Sequence, residues 1–207
     1  MVRPKHLNFL FGSSHYLLEC TLSSERSAAG PRANLAKAIF DLAYVKGRFR
    51  LRSGAVASEY FDKYRFEADP RVLKQIAEQL ADLVPDGIDA LAGLEMGGIP
   101  IATMLSQATG LPALFIRKKA KDYGTCQFAE GGEVRGRKLL IVEDVVTSGG
   151  QIVESVKALR GEGALVDQVV CVIDRESGGL ENLRKEGLTL HALFTMSALK
   201  TSSGAPA

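Results

Sequence analysis

The sequence predicts one α/β domain built on a central, mostly parallel sheet with helices on both faces. Three observations point there. From Asp69 onward, short runs rich in Val, Ile and Leu alternate with stretches whose apolar residues recur at helical spacing, the pattern of strand–helix–strand units. The chain has 207 residues, enough for one α/β domain with a real core and too few for two comfortable domains. Several apolar runs end in turns rich in Gly, Ser and Thr, at the carboxyl strand ends where open parallel sheets bind ligands.

The elements follow in order. Residues 1–32 close on Ser23-Ser24-Glu25-Arg26-Ser27-Ala28-Ala29-Gly30-Pro31 and read as a loose extension. Asn34 is placed to cap a helix carrying Leu35, Ala38, Ile39, Leu42 and Ala43 at helical spacing. Phe49-Arg50-Leu51-Arg52-Ser53-Gly54 alternates like a strand entering a turn, and Tyr60, Phe61 and Tyr64 lie in a second short segment. The spacing of Val72, Ile76, Leu80 and Leu83 predicts a helix over 70–84. A buried strand is predicted over Ile88 to Leu94, then a helix from Pro100 to about Ala108. Further strands are predicted at 113–116, 138–142, 169–173 and 188–194, with helices near 150–160 and 180–186. Residues 69–198 would be the sheet core and 199–207 a flexible tail.

Composition narrows the function classes. Hydrophobic residues make up 46% and charged residues 24%, and the net charge is only +2. Any anion binding must then come from local clusters, not from a global field of the kind nucleic acid attracts. Cys20, Cys126 and Cys171 are far apart, and His6, His15 and His191 lack ligand spacing. Neither a zinc site nor a disulfide framework is indicated, and a reducing cytoplasmic setting is the simplest. The start of the chain faintly resembles a secretion signal, but its apolar run is short and broken by Gly12-Ser13-Ser14-His15. No apolar run is long enough to cross a bilayer.

The most informative segment is Leu139-Leu140-Ile141-Val142-Glu143-Asp144-Val145-Val146-Thr147-Ser148-Gly149-Gly150, followed by Gln151. An apolar strand delivers two acids at its end, and small residues then lead into a helix. Unhindered amides at a helix N-terminus form a phosphate cradle. Glu143 and Asp144 cannot neutralise a phosphate, but they can accept hydrogen bonds from vicinal hydroxyls or stabilise nearby positive charge. Together these features describe a site for a ribose 5-phosphate. A second loop, Gly93-Leu94-Glu95-Met96-Gly97-Gly98-Ile99-Pro100, also joins a strand to a helix, and its glycines would let the backbone approach a ligand closely. A third segment opens with Arg117-Lys118-Lys119-Ala120-Lys121-Asp122-Tyr123-Gly124 and starts a long connection of the kind that usually forms a lid or binding loop. Its four cations in five positions suit a clamp on pyrophosphate.

From about Phe49 to about Gly178 the chain resembles the type I phosphoribosyltransferases. The 139–150 segment is similar to their phosphoribosyl pyrophosphate (PRPP) signature, and the surrounding residues look like the orotate phosphoribosyltransferase family. The resemblance implies a small N-terminal hood over residues 33–68 above the sheet core, a homodimer with shared active sites, and a lid closing over the neighbouring subunit's site. It implies that Arg117, Lys118 and Lys121 contact the pyrophosphate and that Tyr123 stands where many members carry His. It implies that Arg52 contacts the substrates at a position usually occupied by Lys, and that Tyr60 and Phe61 cover the base. Arg175, just beyond the 169–173 strand, would grip the orotate carboxylate through two parallel hydrogen bonds.

The expected chemistry is displacement at the anomeric carbon by N1 of orotate, with no protein nucleophile. Glu143, Asp144, Lys121 and a magnesium ion held mainly by substrate and water would carry catalysis. Two alternatives stay open on the sequence. One is the same transfer to another base, and the other is a non-catalytic regulator that binds PRPP.

Overall fold

The structure is a computed structural model, and it describes residues 30–50, 54–119 and 128–204. Fifteen elements alternate along them. They are α1 (Pro31–Ala43), β1 (Tyr44–Arg50), β2 (Val56–Phe61), α2 (Tyr64–Ala68), α3 (Pro70–Ala81), β3 (Ala90–Leu94), α4 (Gly98–Thr109), β4 (Ala113–Ile116), β5 (Ala129–Glu130), β6 (Lys138–Val146), α5 (Gly150–Gly161), β7 (Leu165–Asp174), α6 (Gly179–Lys185), β8 (Thr189–Thr195) and α7 (Met196–Ser203).

Six strands form one sheet in the order β5-β4-β3-β6-β7-β8. Every neighbouring pair is parallel except β4–β5. The pleat alternates side chains between two cores. Leu140 and Val142 of β6 face α1, α3 and α4, together with Leu91, Val170 and Leu193. Leu139 and Ile141 face α5 and α6, together with Ile152, Val156 and Leu183. The chain runs outward one way from β3 through β4 and the other way from β6 through β7 to β8. The crevice beyond the carboxyl ends of β3 and β6 is therefore the topological switch point, where such sheets take ligands.

β1 and β2 form a separate antiparallel hairpin. It is tied down by aromatic packing: Tyr44 stacks on Phe40 at 4.8 Å between ring centroids, and Phe61 lies 6.5 Å from both Phe40 and Phe66. Such contacts are worth about 0.5–1.5 kcal/mol each beyond area burial.

Several expected boundaries are corrected. Helix α1 begins at Pro31 with Gly30 at the N-cap, not at a cap on Asn34, because proline's fixed φ and missing N–H suit the first helical position. Pro31 and Arg32 thus belong to α1 and not to a loose extension; residues 1–29 lie outside the described residues. Leu35, Ile39 and Phe40 of α1 pack into one core with the sheet, so the N-terminal segment is anchored on it. The 199–207 tail is not loose over 199–203: these residues continue α7, and Leu199 is fully buried in the core that includes α1. Residues 205–207 lie outside the described residues. Helix α3 stops at Ala81, with Asp69 capping it by accepting from the amides of Arg71 and Val72. Among the described residues no helix is long and apolar enough to cross a membrane.

Candidate active site

Strand β6 continues past its apolar run to Val146, because Glu143 and Val145 still pair with Cys171 and Ile173 of β7. The chain then turns at Thr147 and Ser148, which are exposed, and passes through Gly149 into α5. Gly149 has φ 75° and ψ 3°, a left-handed conformation that glycine adopts without a Cβ penalty. Glu143 and residues 145–152 line a hollow of about 170 Å³ at the start of α5. Free amides and the positive end of the helix dipole there favour an anion.

This turn is braced from behind. Asn182 Nδ2 donates to the Ser148 carbonyl at 3.1 Å, and the Arg175 amide donates to the Val146 carbonyl at 2.9 Å. Gly179 of α6 sits so close that a Cβ there would lie 2.6 Å from the Thr147 oxygen. The cradle is thus shaped before any ligand arrives, which lowers the cost of ordering on binding.

The two adjacent acids part company. Glu143 is on the wall of the hollow, whereas Asp144 lies outside its lining and is fully buried. The Lys63 ammonium reaches Asp144 Oδ2 at 2.5 Å, and Asp144 Oδ1 accepts from the Val145 amide. Glu67, one helical turn beyond Lys63, is buried beside the same carboxylate. Burial, and then the hydrogen bond to Asp144 and its charge, push the Glu67 carboxyl up to about 9. Burial and then the Asp144 charge push Glu143 well above the usual carboxylate range. Burial also opposes ionisation of Asp144, but hydrogen bonds from Glu67 and Lys63 and the Lys63 charge outweigh it and hold Asp144 below its ordinary value. One acid of this group is kept as an anion, and Glu67 carries a proton at neutral pH.

The second loop is placed as expected, between β3 and α4, but its glycines serve a contact within the protein. Gly97 has φ −70° and ψ −28°, which any residue adopts. A Cβ there would lie 1.6 Å from Asp144 Oδ2, and one on Gly98 would lie 2.3 Å from the Val142 carbonyl. The turn lies directly on β6 and the buried carboxylate. Glycine here is a requirement of space.

The base-side residues come together. Tyr60, Phe61 and Arg175 line one hollow of about 290 Å³ between the hairpin and the sheet edge, with Tyr44 and Met196 among its other walls. Arg117 leaves the carboxyl end of β4, its amide bonded to the Phe128 carbonyl at 3.0 Å, while Lys118 and Lys119 are exposed. Arg52, Lys121 and Tyr123 lie outside the described residues.

Sequence reasoning missed Lys63, Glu67 and Asn182. The signal for the first two was their four-residue separation beside Tyr60-Phe61, but that spacing is also the mark of an ordinary exposed helix pair. Among the described residues no group of three or more His, Cys, Asp or Glu side chains is arranged to hold a metal ion.

Residues 65–192 match the phosphoribosyl transferase domain family. The chain is 50% identical to the orotate phosphoribosyltransferase of a Nocardioides species over 84% of its own length and 98% of that protein. It superposes with a TM-score of 0.75 and 34% identity on Mycobacterium tuberculosis orotate phosphoribosyltransferase in complex with Fe(III) dicitrate, covering 82% of this chain and 99% of that one. The same enzyme in complex with 5-phospho-α-D-ribosyl 1-diphosphate superposes with a TM-score of 0.71 and 30% identity, covering 82% and 99% of the two chains. With its cradle at the switch point and its aromatic hairpin above Arg175, the chain belongs to the orotate phosphoribosyltransferase family of type I phosphoribosyltransferases.

Proposed function

We propose that this protein transfers the phosphoribosyl group of PRPP to N1 of orotate, giving orotidine 5′-phosphate and pyrophosphate, a step of de novo UMP synthesis. The observation that carries this reading is the cradle: a preformed turn of free amides at the N-terminus of α5 with a carboxyl group on its wall. The 5-phosphate would sit on the amides of residues 147–151, and Glu143 on the wall would accept from the ribose hydroxyls, with Asp144 buried behind it. The anomeric carbon loses its bond to pyrophosphate and gains one to N1 of orotate. Positive charge develops on the sugar ring in between, and the Asp144 anion behind the hollow is placed to favour it.

Tyr60 and Phe61 would cover the base, and Arg175 would take its carboxylate in a bidentate pair. The hollow these three share carries two cations, Arg175 and Lys200, against one acid, Glu59, which is engaged by the Tyr44 hydroxyl, and this balance supports an anionic base over a neutral one. Arg52, Arg117, Lys118, Lys121 and Tyr123 complete the substrate contacts, the cations stabilising the departing pyrophosphate. Magnesium, bound through pyrophosphate oxygens and water, would add charge neutralisation there. We expect the protein to act in the cytoplasm as a homodimer with shared active sites.

The test is incubation with orotate, PRPP and magnesium, following loss of orotate absorbance, beside a panel of purines, xanthine and uracil. Turnover of orotate alone supports the reading. Turnover of another base reassigns the specificity, and PRPP binding without any turnover favours a regulator.

A further inference from the structure

The buried group around Asp144 holds a cation and a second acid that the transfer chemistry does not itself require. Asp144 is fully buried, a condition in which an unpaired carboxylate takes up a proton. Three elements face it. Lys63, at the start of α2, reaches Oδ2 at 2.5 Å. Glu67 of α2 approaches the same carboxylate, with Asp62 near Glu67, and Glu143 adjoins it on β6. From the β3–α4 turn comes only backbone, since Gly97 has no side chain and lies against Oδ2. Lys63 is thus the single cation among the described groups around three carboxyls. Its side chain keeps 31% of its exposure, so it stands at the boundary between this group and solvent.

We propose that Lys63 is a positioning residue for PRPP: its ammonium fixes the Asp144 carboxylate, ionised and oriented, beneath the Gly97 turn, and so holds the end of β6 from which Glu143 faces the incoming ribose. The proposal rests on the phosphoribosyl reading above. Its physical content is a competition between Lys63 and protons for one buried carboxylate. With the ammonium present, Asp144 stays an anion well into acid, in line with its lowered pKa. With the ammonium removed, burial and two neighbouring carboxyls favour the neutral acid. Glu67, its carboxyl pushed up to about 9, stands beside Asp144 without adding negative charge at neutral pH. A neutral Asp144 no longer attracts the ammonium that ties α2 to β6, and the strand end carrying Glu143 loses that tie.

The experiment compares wild type, Lys63→Met and Lys63→Arg through pH profiles of kcat/KM for PRPP, with the melting temperature of each. Lys63→Met is expected to raise the acid limb by about one pH unit or more. It should raise KM for PRPP by about tenfold or more at neutral pH, while KM for orotate changes far less. Lys63→Arg, which keeps the charge, is expected to return the acid limb towards the wild-type position. A lysine that only anchored α2 would lower the melting temperature and leave the limb where it was, and that result overturns the proposal. Wild type inactive with orotate would instead overturn the functional reading. Should Lys63→Met fail to fold, carboxyl carbon NMR of the unaltered protein decides: Asp144 titrating at or above the ordinary aspartate value of about 3.9 overturns the proposal, and titration below it supports it.

Discussion

Replacing Gly97 by alanine adds one methyl group at the most crowded point of the site. The backbone there is ordinary, with φ −70° and ψ −28°, so no conformational cost arises. The new Cβ would lie 1.6 Å from Asp144 Oδ2, 2.5 Å from its Cγ and 3.0 Å from Glu67 Oε1. Normal contact requires a retreat of roughly 2 Å by the carboxylate. Asp144 is fully buried and held by Lys63, so retreat means leaving that pair. Overpacking costs about 1–3 kcal/mol, and breaking a buried ion pair costs about 3–5 kcal/mol. A destabilisation of about 4 kcal/mol or more follows, a large part of the roughly 5–15 kcal/mol that holds a domain together. For a chain of this size that lowers the melting temperature by roughly 8–16 °C. The assay is urea and thermal unfolding beside calorimetry with PRPP, which should lose affinity in parallel. Gly161→Ala is the control. It adds a methyl group in the last turn of α5 with nothing within 4 Å, and is expected to stabilise by up to about 1 kcal/mol. Gly97→Ala melting within about 2 °C of wild type would refute the claim that this turn lies on the acid.

Three further outcomes are expected. Glu67 has its folded pKa raised to about 9 from an ordinary carboxylate value, so its contribution to stability is full in acid and is lost as pH rises towards 9. Over the intervening range it should impose a slope of about −1.4 kcal/mol per pH unit on unfolding free energy, and Glu67→Gln should remove that slope in denaturant titrations at several pH values. Arg175→Ala should raise KM for orotate by roughly 10–150-fold, the worth of a charged hydrogen bond, and Arg175→Lys should recover only part of it because the fork is lost. Lys121→Ala should cut kcat far more than orotate affinity, measured by steady-state kinetics, and unchanged turnover would remove Lys121 from the catalytic set.

The fold was legible where one force dominates. Strand β4 was bounded correctly at residues 113–116 because its apolar run follows Gly110 and Pro112 and stops where the cations of 117–119 begin. Strand β6 runs four residues beyond its predicted end, since Glu143 and Asp144 read as a loop by hydropathy while Glu143, Val145 and Val146 keep their pairing with β7. Strand β5 went unseen because two residues, Ala129 and Glu130, carry no period and exist only through pairing with β4. The cradle was legible because glycine, serine and threonine after an apolar strand have few other uses. The Lys63–Asp144–Glu67 group was not, because the two segments come together only through the fold, 81 residues apart between Lys63 and Asp144 (144 − 63). The contact of Gly97 with Asp144 was hidden for the same reason. A glycine in a loop suggests approach to a ligand, and only the packed structure reveals the carboxylate occupying the space beside it.

The most direct test of the central claim is a crystal structure of this protein with PRPP bound. The 5-phosphate is expected within hydrogen-bond distance, about 2.7–3.2 Å, of the amides of residues 147–151, with the ribose diol on the Glu143 side. PRPP bound elsewhere, with that turn left to solvent, would contradict it.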